Sequence, residues 1–258
     1  MRIAADLIAS DIRYFELGAR IESISGARLA WMPGLTDVMA GCVVLGTEAW
    51  RDRSTADSAL VAVERRVAGL GGARVRLYLE PSETGLAEDL VERGYTSREE
   101  TGFILEGPLE VAALVSIHGI VSEAGWDLKL ALHRESPDGI DGHPTAPERW
   151  VELERRKAGS GELTPWLIQV GGRVAGAAGT IEQGPLLRLK NLLIHRDLRR
   201  RGAATAAVGA FGAMAQKSGR TLGLLAVTDS PSVSVYRGCR MTPVTRWVEW
   251  LGPPIGAR

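Results

Sequence analysis

Three consecutive arginines, Arg199, Arg200 and Arg201, stand immediately before Gly202-Ala203-Ala204-Thr205 in a stretch reading LKNLLIHRDLRRRGAATAAVGAFGAM over residues 189–214. An apolar strand here predicts a short turn, and the turn opens a helix of small residues. Turn amides and a helix N-terminus present several N–H donors and a partial positive charge to an anion. The arginines add full charges beside them, so a diphosphate is the natural occupant. Gly202 lets the backbone approach it without a Cβ, and Ala203, Ala204 and Thr205 leave the helix entry clear. The GxxxxGK[ST] loop of nucleotide hydrolases is absent, and one glycine cannot make the GxGxxG turn of dinucleotide folds.

Four further side chains could move protons near such a site. Tyr236 follows the next strand, and with an unperturbed pKa of about 10 it could protonate a departing thiolate of pKa about 8.5. Its alternative is to pack beneath a helix. Glu182 at a strand end, His195 at the turn and Asn191 on the central strand are candidates for the base. A solvated hairpin position for Glu182 and a strand-capping role for His195 stand beside those readings, as does reliance on solvent alone.

The elements that must position these residues alternate along the chain. A helix is predicted over 5–19, strands over 21–32 and 37–45, a helix from Ser54-Thr55 to Ala68, a strand over 74–79, a helix from 82 to 93 and a strand over 95–105. Residues 109–125 read as a helix-like connector, and WDLKLALH (126–133) alternates as a strand. A Pro/Gly/Asp-rich loop over 136–147 precedes a charged helix over 146–157. PWLIQVGGRVAGAAGTIEQGP (165–185) reads as a hairpin turning at Gly171-Gly172, followed by a strand over 186–194, a helix to Lys217, a strand over 221–227, a short helix and a final strand. At an offset of 146 residues, 73–106 falls without gaps on 219–252, with the same order of strand, helix and strand.

The pattern Arg199-x-x-Gly202-x-Ala204 resembles the acyl-CoA signature [QR]-x-x-G-x-[GA] of the GNAT superfamily of N-acetyltransferases. The stretch Asp229, Ser232, Val235, Tyr236, Arg240 and Met241 lies where that family carries N-x-x-A-x-x-[LV]-Y-x-x-x-G-F; the tyrosine is retained, while the Asn, Ala, Gly and Phe positions are substituted. The resemblance covers residues 126–258 and, more faintly, the first half. It implies an α/β protein of two GNAT-like lobes, each a mixed, mostly antiparallel sheet flanked by helices. Residues 1–108 would form a degenerate lobe that shapes the acceptor side and binds no cofactor, 109–125 a connector, and 126–258 the catalytic lobe. Acetyl-CoA or another acyl-CoA is then the expected co-substrate, held at 199–205, with a backbone N–H near Leu193 or Ile194 meeting the acyl carbonyl. An amine of a small molecule or peptide is the expected acceptor. A non-catalytic acyl-CoA-binding or sensor protein is the alternative.

Composition agrees with a cored protein: 45% of residues are hydrophobic and 24% charged, and 31 basic residues balance 31 acidic ones. Zero net charge gives no support to a nucleic-acid partner. Two cysteines, Cys42 and Cys239, and four scattered histidines form no metal-binding spacing. The longest apolar run, 111–121, is too short to span a bilayer. These features predict a cytoplasmic protein without metal or membrane partner, and a monomer or homodimer is expected.

Overall fold

A computed structural model describes residues 2–50, 53–79, 84–109, 115–136 and 146–256. The element order is α1 (Arg2–Glu16), β1 (Arg20–Ile24), β2 (Ala27–Trp31), β3 (Cys42–Leu45), α2 (Arg53–Gly69), β4 (Arg76–Leu79), α3 (Thr84–Glu92), β5 (Thr96–Leu105), β6 (Val115–Gly119), α4 (Glu123–Glu135), α5 (Pro147–Ala158), β7 (Leu163–Val170), β8 (Arg173–Gln183), β9 (Leu186–Ile194), α6 (Ala203–Lys217), β10 (Thr221–Val227), α7 (Ser232–Gly238) and β11 (Thr242–Leu251).

The chain divides into two compact units. One comprises Met1–Tyr14 with Thr101–Thr245, the other Phe15–Glu100 with Arg246–Arg258. In the first, strands run in the order β5-β10-β9-β8-β7-β6. There β9 and β10 are parallel and joined through α6, while β6, β7, β8 and β9 are antiparallel in succession. In the second, β1, β2 and β3 are antiparallel neighbours, and β3 is parallel to β4 through α2. Each unit thus holds a mixed, mostly antiparallel sheet with one parallel strand–helix–strand step, since parallel neighbours require a long connection.

The units cut the chain differently from lobes at 1–108 and 126–258. The physical reason is strand pairing: Val248–Leu251 of the last strand pair antiparallel with Arg76–Leu79 of β4, so that end of β11 counts with residues 15–100. The sequence repeat is visible in the elements, because the 146-residue offset lays Thr96–Leu105 on Thr242–Leu251, the bounds of β5 and β11.

Two expected elements are of another kind. Residues 126–133 lie in α4, capped by Ser122, whose side chain accepts from the Gly125 N–H. Its inward positions are Lys129, Leu132 and His133, a helical i, i+3, i+4 spacing in which two of the three residues are polar. The alternation of leucines there is coincidental, and Leu128 is exposed. Within 109–125, Val115–Gly119 is a strand paired with β7, with Val115 and Ile117 turned to the apolar core. The 137–145 part of the expected loop lies outside the described residues.

The core of the first unit lies between the sheet and α6. Leu187, Leu189 and Ile194 of β9 pack with Ala203, Ala207, Val208, Phe211 and Ala215 of the helix. Its small residues permit close approach: a Cβ on Gly212 would come within 2.6 Å of Leu105 Cδ2. Among the described residues no helix is long and apolar enough to cross a membrane.

Candidate active site

The turn from β9 into α6 has the backbone that an anion site needs. Arg200 (φ 58°) and Gly202 (φ 80°) are both left-handed, and Gly202 is the N-cap residue of α6 without any side chain to cap it. The first amides of a helix have no intrahelical acceptor. Arg200, Arg201, Gly202 and Thr205 are exposed, and a Cβ on Gly202 would meet no atom within 4 Å. The helix entry therefore faces open space, with two exposed arginines next to it in the chain, and unpaired helix amides of this kind are suited to an anion. Arg199 is engaged differently. Its Nε donates to the Ile194 carbonyl at 3.0 Å, tying the turn back to the strand end.

Beside this turn, β9 and β10 part. Their parallel register is confined to Leu186–Arg188 against Thr221–Gly223, although both strands run on. A bulge in β9 accompanies the parting. Lys190 pairs with Gly179 and Leu193 with Ala177, so β9 advances three residues while β8 advances two. Lys190 and Asn191 consequently point to the same face, and Asn191 takes a left-handed φ of 53°. Before the bulge, odd-numbered residues turn their backbone groups to β10, as the Pro185 carbonyl does in accepting from Thr221 N–H at 2.9 Å. Beyond it, His195 N–H donates to Ala175 of β8 at 2.8 Å. The alternation has switched, which directs the amides of Leu192 and Ile194 away from β8 and that of Leu193 towards it.

Of the other residues singled out by sequence, Tyr236 is buried in the core with Phe103, Val233 and Cys239, its ring 6.0 Å from that of Phe103. Glu182 pairs in register with Leu187, at the far end of β9 from the turn, roughly 20 Å away at the rise of a strand. It is exposed and ion-paired to Arg220 at 2.6 Å. His195 caps the short turn over 196–198: Asp197 N–H donates to its Nδ1 at 3.3 Å, and its Nε2 lies 2.7 Å from Glu135 Oε2. Both ring nitrogens thus have a partner within hydrogen-bond distance. Ala203 and Ala204 open α6 as expected. Among the described residues no cluster of three or more His, Cys, Asp or Glu is arranged to hold a metal.

The sheet face opposite α6 carries a polar cluster that strand and helix periodicities do not announce. Asp11 of α1 accepts from Arg188 at 2.8 Å and Lys190 at 2.6 Å. Glu154 of α5 is 2.8 Å from Lys129 of α4 and accepts from Asn191 Nδ2 at 2.8 Å, while the same amide group donates to the Tyr14 hydroxyl at 2.9 Å. Lys157 donates to the Tyr14 carbonyl at 2.7 Å and lies over its ring. Burial alone would raise the Asp11 and Glu154 carboxyls, but Lys190 and Arg188 beside the first, and Lys129 beside the second, hold both below the usual range. Burial lowers Lys157 to about 7, with Lys190 adding to the effect, and lowers His133 to about 4.

Lys157 makes a prediction. Its amine is neutral above about pH 7 in the folded chain but stays protonated to about 10.5 when unfolded, so the unfolded state binds more protons in between. Stability should therefore rise with pH from 7, by up to about 1.4 kcal/mol per pH unit from this group. Above pH 9 the Cys42 thiol, pushed by burial to about 12, works in the opposite direction. Urea titrations at pH 7, 8 and 9 check this. Lys157→Met should lose the slope, and an equal slope in wild type and variant would rule the assignment out.

No protein-family model and no curated protein matches the chain. Solved structures do. A GCN5-related N-acetyltransferase from Kribbella flavida is 18% identical, with a TM-score of 0.70 over 97% of this chain and 96% of that one. One from Sphaerobacter thermophilus is 16% identical, with a TM-score of 0.62 over 89% of this chain and 77% of the other. A tandem GNAT protein from the clavulanic acid biosynthesis pathway is 15% identical, with a TM-score of 0.56 over 90% and 79%. With the parted strands, the glycine-entered helix and the doubled strand–helix–strand order, these likenesses give the chain the fold of the GCN5-related N-acetyltransferases in a two-lobed layout.

Proposed function

We propose that this chain is an acyl-CoA-dependent N-acyltransferase, moving an acetyl or other acyl group to an amine of a small molecule or peptide by direct transfer. The observation that carries the reading is the joint placement of a left-handed Gly202 at the entry of α6, flanked by Arg200 and Arg201, and a bulged β9 parting from β10. The diphosphate of CoA suits the amides of 203–205 and the two exposed arginines. The amide of Ile194, turned away from β8, is the donor suited to a thioester carbonyl, where charge develops as the amine attacks. Tyr236 is the proton donor for the departing thiolate. Solvent takes the proton of the amine, since Glu182 lies at the other end of its strand and both nitrogens of His195 are engaged.

One binding site per chain is expected. In the other unit, the entry of α2 borders a hollow of 540 Å³ lined by Asp57, Asp89, Glu92, Arg53, Arg93 and Gly94. Arg53 is paired with Asp89 and Glu92, and Arg93 with Asp57. Three carboxylates there oppose a diphosphate.

The test is release of free CoA from acetyl-CoA and longer acyl-CoAs over a panel of amines, amino acids, aminoglycosides, polyamines and peptides, with calorimetric titration of CoA alongside. The burial of Tyr236 favours a second reading, an acyl-CoA-binding protein without turnover, for which CoA binds and none is released. Tyr236→Phe separates the roles of that ring, because phenylalanine keeps its packing and removes only the hydroxyl. We expect kcat to fall about 10²-fold, the effect of losing a positioned acid, with CoA affinity unchanged. Wild-type kcat would return Tyr236 to the core.

A further inference from the structure

The bulge that turns the Ile194 amide away from β8 is held from the opposite face of the sheet. Asn191 occupies the left-handed conformation that asparagine tolerates better than most residues. Both hydrogens of its side-chain amide are spoken for, one by the Tyr14 hydroxyl at 2.9 Å and one by Glu154 Oε1 at 2.8 Å. The two acceptors come from different helices, α1 and α5, so the amide is fixed in two directions. Each acceptor is in turn immobilised. Glu154 is buried against Lys129 at 2.8 Å, and Tyr14 is buried between the amines of Lys157 and Lys190, 4.6 and 4.3 Å from its ring centre. An element that flips the alternation of a strand is thereby locked by a charged cluster that never reaches the open side of the turn.

We propose that Asn191, clamped by Tyr14 and Glu154, is a positioning residue that aims the Ile194 amide at the thioester carbonyl; this rests on the acyl-transfer reading above. The N-terminal helix then belongs to the catalytic apparatus, since α1 supplies one jaw of the clamp. A strand bulge by itself fixes only the count of residues. The clamp fixes its position at 190–191, and a slip by one residue would turn the Ile194 amide to β8.

Asn191→Gly is the decisive variant, because glycine keeps the left-handed backbone and deletes both side-chain donors. We expect kcat to fall about tenfold or more while the Kd for CoA stays within about twofold, the diphosphate turn being untouched. Tyr14→Phe, which removes one jaw without changing the helix, should lower kcat by about threefold. Hydrogen–deuterium exchange supplies a readout that needs no turnover: amides of the segment 189–195 should exchange at least about tenfold faster in Asn191→Gly, with α6 unchanged. If wild type releases no CoA from any acyl-CoA, the acyl-transfer reading fails while the exchange arm still reports on the clamp. Wild-type kcat with wild-type exchange in a folded Asn191→Gly overturns the proposal, and if that variant does not fold, the same two measurements on Tyr14→Phe decide it.

Discussion

Asp11→Ala is expected to lower the folding free energy by about 3–5 kcal/mol, the range for removing one partner of a buried ion pair. The size follows from what is left behind. Asp11 accepts from Arg188 at 2.8 Å and Lys190 at 2.6 Å, and Asp11 and Arg188 are each only 1% exposed. Without the carboxylate a guanidinium and an amine face each other in a region where charge is poorly solvated. The other carboxylate of the cluster, Glu154, is committed to Lys129 and Asn191. Urea denaturation of the variant measures the loss. A second variant, Asp11→Ala with Lys190→Met, should recover part of it by removing one of the stranded cations. A loss below about 1 kcal/mol would show that water reaches Arg188 and that the cluster is not a closed ionic core.

This cluster also marks where the sequence stops being legible. Periodic patterns locate a helix by its apolar stripe, and by that rule 126–133 read as a strand and 146–157 simply as a charged helix. The inward face of α4 instead contains Lys129 and His133, and that of α5 contains Glu154 and Lys157. A buried lysine and a buried glutamate look like a solvated pair until both helices are placed on one sheet face. The same inversion explains why 126–133 read as a strand. Leu128, Leu130 and Leu132 alternate, but the residue that fixes the helix orientation is Lys129, through its ion pair to Glu154. One local signal was available, Ser122 three residues before Gly125 as an N-cap ahead of the turn.

The strand–turn–helix about Gly202 was legible for the opposite reason. Its information is local: an arginine run, a glycine whose left-handed φ of 80° few residues adopt, and small residues that must enter a helix beside an open space. The 146-residue repeat was legible too, because it preserves order and length even where identity has faded. What the repeat could not convey is strand partnership. Two stretches of like pattern, β5 and β11, carry the same internal signal, while β11 finds its neighbour in β4, over 160 residues earlier in the chain. Pairing of that separation is fixed by packing across the sheet and leaves no trace in a local window.

Gly202→Asp should weaken CoA binding by about 10³-fold, which corresponds to about 4 kcal/mol. Two effects add. A carboxylate is placed where two phosphates with their negative charges are to lie, and a side chain intrudes where the backbone amides of 203–205 must come within hydrogen-bond distance of an oxygen. Neither should prevent folding, because a Cβ at this position meets no atom within 4 Å and the residue lies on the surface. The left-handed φ of 80° imposes a strain of about 1–2 kcal/mol on any substituted side chain, and this falls on stability more than on binding. Gly202→Ala isolates that part: it carries the same backbone strain without the charge and should lose about tenfold in affinity at most. The two variants together distinguish an anion site from a turn that merely needs glycine. Calorimetric titration of CoA into both, with circular dichroism to establish that each is folded, gives the comparison. A charged variant that binds CoA as tightly as the alanine variant would place the diphosphate elsewhere and with it the whole assignment of the turn.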